Sequence, residues 1–135
     1  MNLDTKILWQ QKVNYFQVIV RPDFVELSID NRVYIEEIHL KELTGVMKRI
    51  RENFFGAEKL NLLVNPPDGA FVSPGAREHA QKEENNAFLN KIAIISDDLS
   101  TRILVNFISR ITRLFSVKTR MFKTREQALT WLKKA

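Results

Sequence analysis

Two histidines and three pairs of adjacent carboxylates are the side chains of this sequence best suited to acid–base chemistry or metal binding. They are His39, His79, Glu36-Glu37, Glu83-Glu84 and Asp97-Asp98. A general base or a metal ligand needs a partner held at hydrogen-bond or ligand distance. Neither histidine lies in a metal-ligand spacing such as HExxH, and adjacent residues point in different directions on a helix or strand. We therefore interpret both histidines as solvated or helix-capping groups and expect no metal site.

Motifs for nucleotide binding and hydrolysis are absent from the sequence. It contains no GxxxxGK[ST], GxGxxG or GxSxG pattern, and its four glycines leave little material for a backbone phosphate cradle. It contains no cysteine, which excludes disulfides, thiolate nucleophiles and cysteine-ligated metals. We expect neither enzymatic activity nor a cofactor.

Positive charge is concentrated in the last quarter of the chain. Residues 101–135 hold nine basic side chains and one acidic side chain, a net charge of +8. Residues 1–100 hold twelve basic and fifteen acidic side chains, a net charge of −3. Such asymmetry creates a potential that attracts phosphate, anionic lipid or an acidic partner, although a basic surface that only confers solubility has the same pattern.

The length of 135 residues predicts a single domain over 1–135 with one core. The sequence contains no run of about 18 apolar residues, so it predicts no membrane-spanning helix. Its first residues lack the pattern of a signal peptide. We therefore expect a cytoplasmic protein. The apolar segment Ile7-Leu8-Trp9 precedes the first predicted strand. Residues 1–12 either pack across a sheet edge, insert into a second copy of the chain, or form a loosely attached arm.

Alternation of apolar and polar residues predicts strands near the N-terminus. The period of two runs through 15–20 and 24–29, and Pro22-Asp23 is a turn signal between these runs. A further short strand at 33–35 follows a second turn signal. The pattern is typical of an antiparallel β-meander of two or three strands.

Helices and strands alternate through the rest of the chain. Apolar residues at spacings of three and four predict a helix over 40–54 that ends at Gly56. Apolar runs at 60–64, 92–95 and 119–122 predict three strands. This β-α order predicts a mixed sheet with right-handed crossovers.

Helix start signals mark two of the remaining helices. Ser73 and Pro74 are suited to the N-cap and first position of a surface helix that reaches residue 89. Thr124 and Gln127 form a capping-box pattern at the start of the closing helix. Phe122 and Trp131 lie among basic residues near that helix, but the periodicity places both aromatic side chains inward, so nucleic acid is not the expected partner.

A strongly apolar helix over 103–115 is the best candidate for recognition. Its apolar positions cover more than one narrow stripe, which is typical of a helix that is either enclosed in the core or exposed to a partner. The second alternative corresponds to a homodimer contact or to an apolar groove rimmed by arginines. The residues in question are Phe107 and Ile111 on the apolar side and Arg102, Arg110 and Arg113 on the remaining face.

Segments 72–78, 91–96, 99–107 and 122–132, taken in order, resemble the SpoIIAA-like (STAS/SEC14-type) small domains. The similarity is greatest to an uncharacterised bacterial, Bacteroidetes-type branch, and it extends over about 13–134. It implies a mixed sheet with helices largely on one side. In the anti-sigma-factor antagonists of that superfamily a serine within an Asp-Ser-Ser-Gly motif is phosphorylated. That motif is absent here, so the resemblance offers only Ser73 as a phosphorylation site, beside its simpler interpretation as an N-cap.

The sequence thus predicts a single-domain α/β protein of the SpoIIAA-like kind. We expect a mixed sheet of about four or five strands and about four helices, with an N-terminal β-meander followed by β-α units. The expected function is that of a non-catalytic cytoplasmic binding or regulatory module, whose partner is another protein or a second copy of the chain. The alternative is a carrier of a small anionic, lipid-like amphiphile. The residues predicted to bind are Arg102, Arg110, Arg113, Arg120, Lys123, Phe107 and Ile111.

Overall fold

A six-stranded mixed β-sheet forms the centre of the fold in the computed structural model, which describes residues 5–96 and 117–134. The strand order is β1-β2-β3-β5-β7-β8, in which β1, β2 and β3 are antiparallel and β3, β5, β7 and β8 are parallel. Two short strands, β4 and β6, pair in parallel as a separate small sheet. The strands are β1 (Trp9–Val13), β2 (Phe16–Val20), β3 (Val25–Ile29), β4 (Tyr34–Ile35), β5 (Leu60–Asn65), β6 (Phe71–Val72), β7 (Leu89–Ile95) and β8 (Lys118–Phe122). The predicted α/β class, with an N-terminal meander followed by β-α units, is confirmed, and the main sheet is larger than expected.

The meander begins one strand earlier than the sequence predicts. Trp9 pairs with Val20 and Val13 pairs with Phe16, and Asn14 adopts a left-handed φ of 53° in the two-residue turn between these strands. Residues 9–12, which the sequence left open as part of a loose arm, therefore form an edge strand. The Trp-Gln-Gln-Lys-Val pattern of β1 does not alternate clearly, because much of this strand is exposed. The predicted strand at 33–35 is instead β4 of the small sheet.

Three α-helices occur among the described residues. They are α1 (Glu37–Ile50), which continues as a π-helical turn over Arg51–Phe55, α2 (Pro74–Ala80) and α3 (Arg125–Lys133). Gly56, at a φ of 64°, follows the π-helical turn, as the sequence predicts. Within residues 5–96 and 117–134, no helix is both long and apolar enough to cross a membrane. The predicted helix at 103–115 and the Asp97-Asp98 pair lie outside the described ranges.

The caps of α2 and α3 are the ones that the sequence predicts. Ser73 Oγ accepts a hydrogen bond of 3.1 Å from Ala76 N, and Thr124 Oγ1 accepts one of 3.2 Å from Gln127 N. The predicted surface helix is shorter than expected, because α2 ends at residue 80. The side chain of Asn86 donates to the carbonyls of Ala80 and Lys82 (2.7 and 2.9 Å), and these bonds stabilise the turn that ends α2.

Helices pack on both faces of the sheet. On one face α1 buries residues including Val46 and Ile50 against apolar side chains of the central strands, and α2 packs beside α1. On the other face α3 buries Ala128, Leu129 and Leu132 against Phe24, Leu63 and Ala93. The expectation of helices largely on one side therefore holds for α1 and α2 but not for α3. The position of α3 matters for function because it forms one wall of a cleft.

Candidate functional site

The N-terminal end of α3 is fixed to the sheet by a buried carboxylate. Arg125 Nη2 lies 2.8 Å from Glu26 Oε1, Arg21 Nη2 lies 3.2 Å from the same oxygen, and Asn65 Nδ2 donates to Glu26 Oε2 at 3.0 Å. Burial alone would raise the pKa of Glu26. The hydrogen bonds and charges supplied by Arg125, Asn65 and Arg21 outweigh burial and hold that pKa below its usual 4.5. Glu26 is therefore an ionised structural anchor.

The C-terminal end of α3 is held by a buried lysine. Lys91 Nζ donates to the backbone carbonyl of Trp131 at 3.2 Å and to that of Lys134. The same ammonium group lies 5.2 Å from the centre of the Trp131 ring. A cation at this position adds a donor to the carbonyls at the end of the helix and complements the helix dipole. Glu26 and Lys91 thus attach the two ends of α3 to strands β3 and β7 of the sheet.

An open cleft of about 410 Å³ lies between β8 and α3. Arg120 and Phe122 stand on the same face of β8, since alternate residues of a strand share a face. The ring centres of Phe122 and Trp131 lie 5.5 Å apart in a tilted arrangement, and the guanidinium carbon of Arg120 lies 5.4 Å from the centre of the Phe122 ring. We call this feature the β8–α3 cleft. It is lined by Arg120, Phe122, Glu126, Gln127, Thr130, Trp131 and Lys134.

Two cations, Arg120 and Lys134, line this cleft, and two more, Lys118 and Lys123, lie in and just after β8. Lys118, Arg120, Lys123 and Lys134 are all exposed, and the lining includes one carboxylate, Glu126. The side chains of Lys118, Arg120 and Lys123 form no ion pair with any residue in the two described ranges. β8 is also the last strand in the sheet order. In the described part of the chain, the surface therefore combines cations that form no ion pair, half-buried aromatic rings and the last strand of a sheet.

Two of the predicted binding residues lie at this surface. Arg120 lines the cleft and Lys123 is exposed immediately after β8. The other five fall between 97 and 116 and lie outside the described residues: Arg102, Arg110, Arg113, Phe107 and Ile111. Ser73 caps α2, and a phosphorylated Ser73 stays a prediction from the resemblance.

Three residues contribute to the cleft in ways that the sequence does not show. Phe122 and Trp131 pack against the core, as predicted, but both are only half-buried and also line the cleft. Helical periodicity identifies the buried face of α3 correctly at Ala128, Leu129 and Leu132, yet it does not show that Trp131 lies at the border of that face. Lys91 gave no signal, because a lysine before an apolar run is ordinarily a solvated strand end.

The two histidines have structural partners. His39 Nδ1 accepts a hydrogen bond of 2.9 Å from Glu36 N at the start of α1, which confirms the interpretation as a capping group. His79 is buried rather than solvated, and its Nε2 lies 3.2 Å from Thr44 Oγ1 between α2 and α1. Burial lowers the pKa of His79, and the nearby charge of Lys82 lowers it further. Among the described residues no cluster of acidic side chains and histidines could hold a metal ion.

A second surface missed by the sequence analysis is an exposed apolar patch at the small sheet. Tyr34 of β4 is the register partner of Phe71 of β6, and these side chains are 53% and 62% exposed. Ile38, in the first turn of α1, is 58% exposed. No cation cluster or cleft comparable to the β8–α3 cleft accompanies these residues in the described part of the molecule.

Comparison with models of protein families identifies a family for the chain but no activity. A family model described as a domain of unknown function, DUF7793, matches residues 32–135. The chain belongs to the DUF7793 family. No curated protein matches the chain.

Comparison with solved structures agrees with the fold that the sequence suggested. One similar structure is that of an uncharacterised protein of the DUF3478 family, with a SpoIIAA-like fold, from Shewanella loihica. It is 12% identical to this DUF7793 chain, the TM-score is 0.61, and the match covers 87% of this chain and 91% of the other. At this level of identity the similarity shows a SpoIIAA-like fold and nothing about activity.

Proposed function

We propose that this protein is a non-catalytic binding module that regulates another protein by direct contact at the β8–α3 cleft. The observation that carries the proposal is a group of exposed cations in and after β8, Lys118, Arg120 and Lys123, which form no ion pair with the described residues; Arg120 lines the cleft with the half-buried rings of Phe122 and Trp131. Arginine and aromatic side chains are enriched at protein interfaces and dominate their binding energy. The cations steer an acidic partner, and the aromatic rings contribute apolar contact area once the partner is bound.

The sequence resemblance to SpoIIAA-like (STAS/SEC14-type) domains, which include anti-sigma-factor antagonists, supports a regulatory role. A cytoplasmic location and a partner that is another protein or a second copy of the chain complete the proposal. The predicted contribution of Arg102, Arg110 and Arg113 to the same basic surface also stays part of it.

Affinity capture from an extract of the host organism, with charge-matched variants, tests this function. The test variant is Arg120→Glu with Lys123→Glu, and the control is Lys6→Glu with Lys59→Glu, two exposed sites remote from the cleft in sequence. Both variants change the net charge by the same amount. We expect the wild type and the control to capture the same protein and the test variant to lose it. The captured protein should be released as the salt concentration rises. Equal capture by all three proteins would refute the proposal.

A second candidate function is the transport or sensing of a small anionic amphiphile. The observation in its favour is the size of the β8–α3 cleft, about 410 Å³, which lies within the range of small-molecule sites. The aromatic rings would contact the apolar part of such a ligand, and Arg120 and Lys134 would contact its anionic group. Native mass spectrometry distinguishes this candidate, because it predicts a small molecule that departs from the protein on denaturation.

A further inference from the structure

The outer edge of β8 is the feature that defines how a partner would bind. Among residues 5–96 and 117–134, β8 pairs with β7 alone and ends the six-stranded sheet. A strand at a sheet edge presents a row of backbone N–H and C=O groups that can pair with another extended segment. Met121, in the middle of this strand, is 50% exposed.

The side chains of β8 select against a second copy of this strand. Lys118, Arg120 and Phe122 share the face that carries α3, and Thr119 and Met121 share the other face. If two β8 strands paired antiparallel about their centres, Arg120 would lie opposite Arg120, and like charges directly opposite are destabilising. Basic side chains on an edge are a known protection against self-pairing. The same charges favour an acidic strand.

We propose that the partner adds an extended segment to the edge of β8, and that acidic and apolar residues alternate along this added segment. Acidic side chains of the added strand lie beside Lys118 and Arg120, and its apolar side chains lie on the opposite face beside Met121. Backbone hydrogen bonds hold such a strand while alternate side chains determine its specificity. This inference rests on the proposed function and specifies the class of partner.

The probe is a peptide of about nine residues in which glutamates alternate with valines, since most strands have a length of this order. Its affinity for the full chain is measured by isothermal titration calorimetry at low salt. Two further peptides carry N-methyl groups either on all glutamate amides or on all valine amides. In an added strand one of these two sets of amides faces β8 and the other faces solvent.

Strand addition predicts that one methylated peptide binds at least tenfold more weakly than the parent and that the other retains its affinity. Equal retention or equal loss in the two methylated peptides would overturn strand addition. Strand addition would also be overturned if the parent peptide bound with a Kd above about 1 mM. The same conclusion would follow if an oligothymidylate strand bound more tightly and displaced the peptide.

The variants separate this inference from the proposed function. Lys118→Glu with Arg120→Glu is expected to weaken the parent peptide at least about fivefold, because opposite charges across strands become like charges. Lys6→Glu with Lys59→Glu is expected to leave the affinity unchanged. If charge reversal weakens the peptide while the two methylated peptides behave alike, the basic surface stands and strand addition fails. If charge reversal has no effect, the proposed binding surface itself fails.

Discussion

Arg125, the first residue of α3, lies 2.8 Å from the carboxylate of Glu26, the second residue of β3. This ion pair joins the closing helix of the chain to one of its earliest strands. The carboxylate is also bound by Arg21 and Asn65, and its side chain is only 10% exposed. The wall of the β8–α3 cleft therefore depends on a buried charge network far from the cleft in sequence.

Removal of the Glu26 carboxylate is expected to destabilise the fold. Glu26→Ala should lower the free energy of unfolding by about 3 kcal/mol, because the buried guanidinium group of Arg21 loses its counter-charge and Arg125 loses its bond to the sheet. Urea denaturation followed by circular dichroism measures this change. The matched control is Glu58→Ala at an exposed site, which should change the free energy by less than about 0.5 kcal/mol. Equal effects of the two substitutions would show that the network does not stabilise α3.

The same carboxylate predicts a loss of stability in acid. Burial raises the pKa of Glu26, but Arg125, Asn65 and Arg21 lower it by more, so the folded-state pKa lies below 4.5. The ion-pair stabilisation is thus complete above pH 4.5 and is lost as the pH falls through the folded-state pKa. We expect the free energy of unfolding to decrease from pH 5 toward pH 3. Glu26→Gln should make that decrease shallower, and an unchanged slope would contradict the assignment.

His79 predicts a second loss of stability on acidification, which begins at a higher pH than the loss due to Glu26. Burial lowers the pKa of His79, Lys82 lowers it further, and Glu37 opposes the change. The unfolded chain therefore binds a proton near pH 6.5 that the folded chain does not bind, and stability is lost as the pH falls below about 6.5. Denaturation of the wild type at pH 7.5 and 5.5 should show this loss. In His79→Gln the loss between these two values should be smaller, and a loss of the same size would refute the prediction.

Lys91 predicts a local effect at the cleft. Lys91→Met keeps the approximate length of the side chain but removes the ammonium group that donates to the carbonyls of Trp131 and Lys134. We expect a loss of about 1–2 kcal/mol in the free energy of unfolding, since hydrogen bonds from a charged group contribute on this order. Hydrogen exchange followed by mass spectrometry should show faster exchange in α3 and unchanged exchange in α1. Uniformly faster exchange in both helices would contradict a local role for Lys91.

Much of the fold was predictable because its signals are local. The alternation in β2 and β3, the caps Ser73 and Thr124 and the final glycine of the π-helical turn each depend on neighbouring residues. Strand β1 was missed because an exposed edge strand does not need to alternate. The resemblance also indicated a SpoIIAA-like architecture, which the similar structure supports.

The site was predictable only in part, because its geometry depends on contacts between distant segments. Charge counting identified Arg120 and Lys123 as part of a basic region. No local pattern shows that Lys91 reaches the end of α3, or that His79 is buried against Thr44. These contacts depend on how α2 and α3 pack against the rest of the fold. Such packing leaves no signal in the pattern of neighbouring residues.

Native mass spectrometry of the protein purified from its own host tests the central claim most directly. The wild type and the Arg120→Glu, Lys123→Glu variant are isolated in parallel and measured under gentle and then denaturing conditions. We expect a protein partner to be bound to the wild type under gentle conditions and to be absent from the variant. A protein partner that is retained by the variant, or a small molecule that leaves the wild type on denaturation with no protein bound, would contradict the claim.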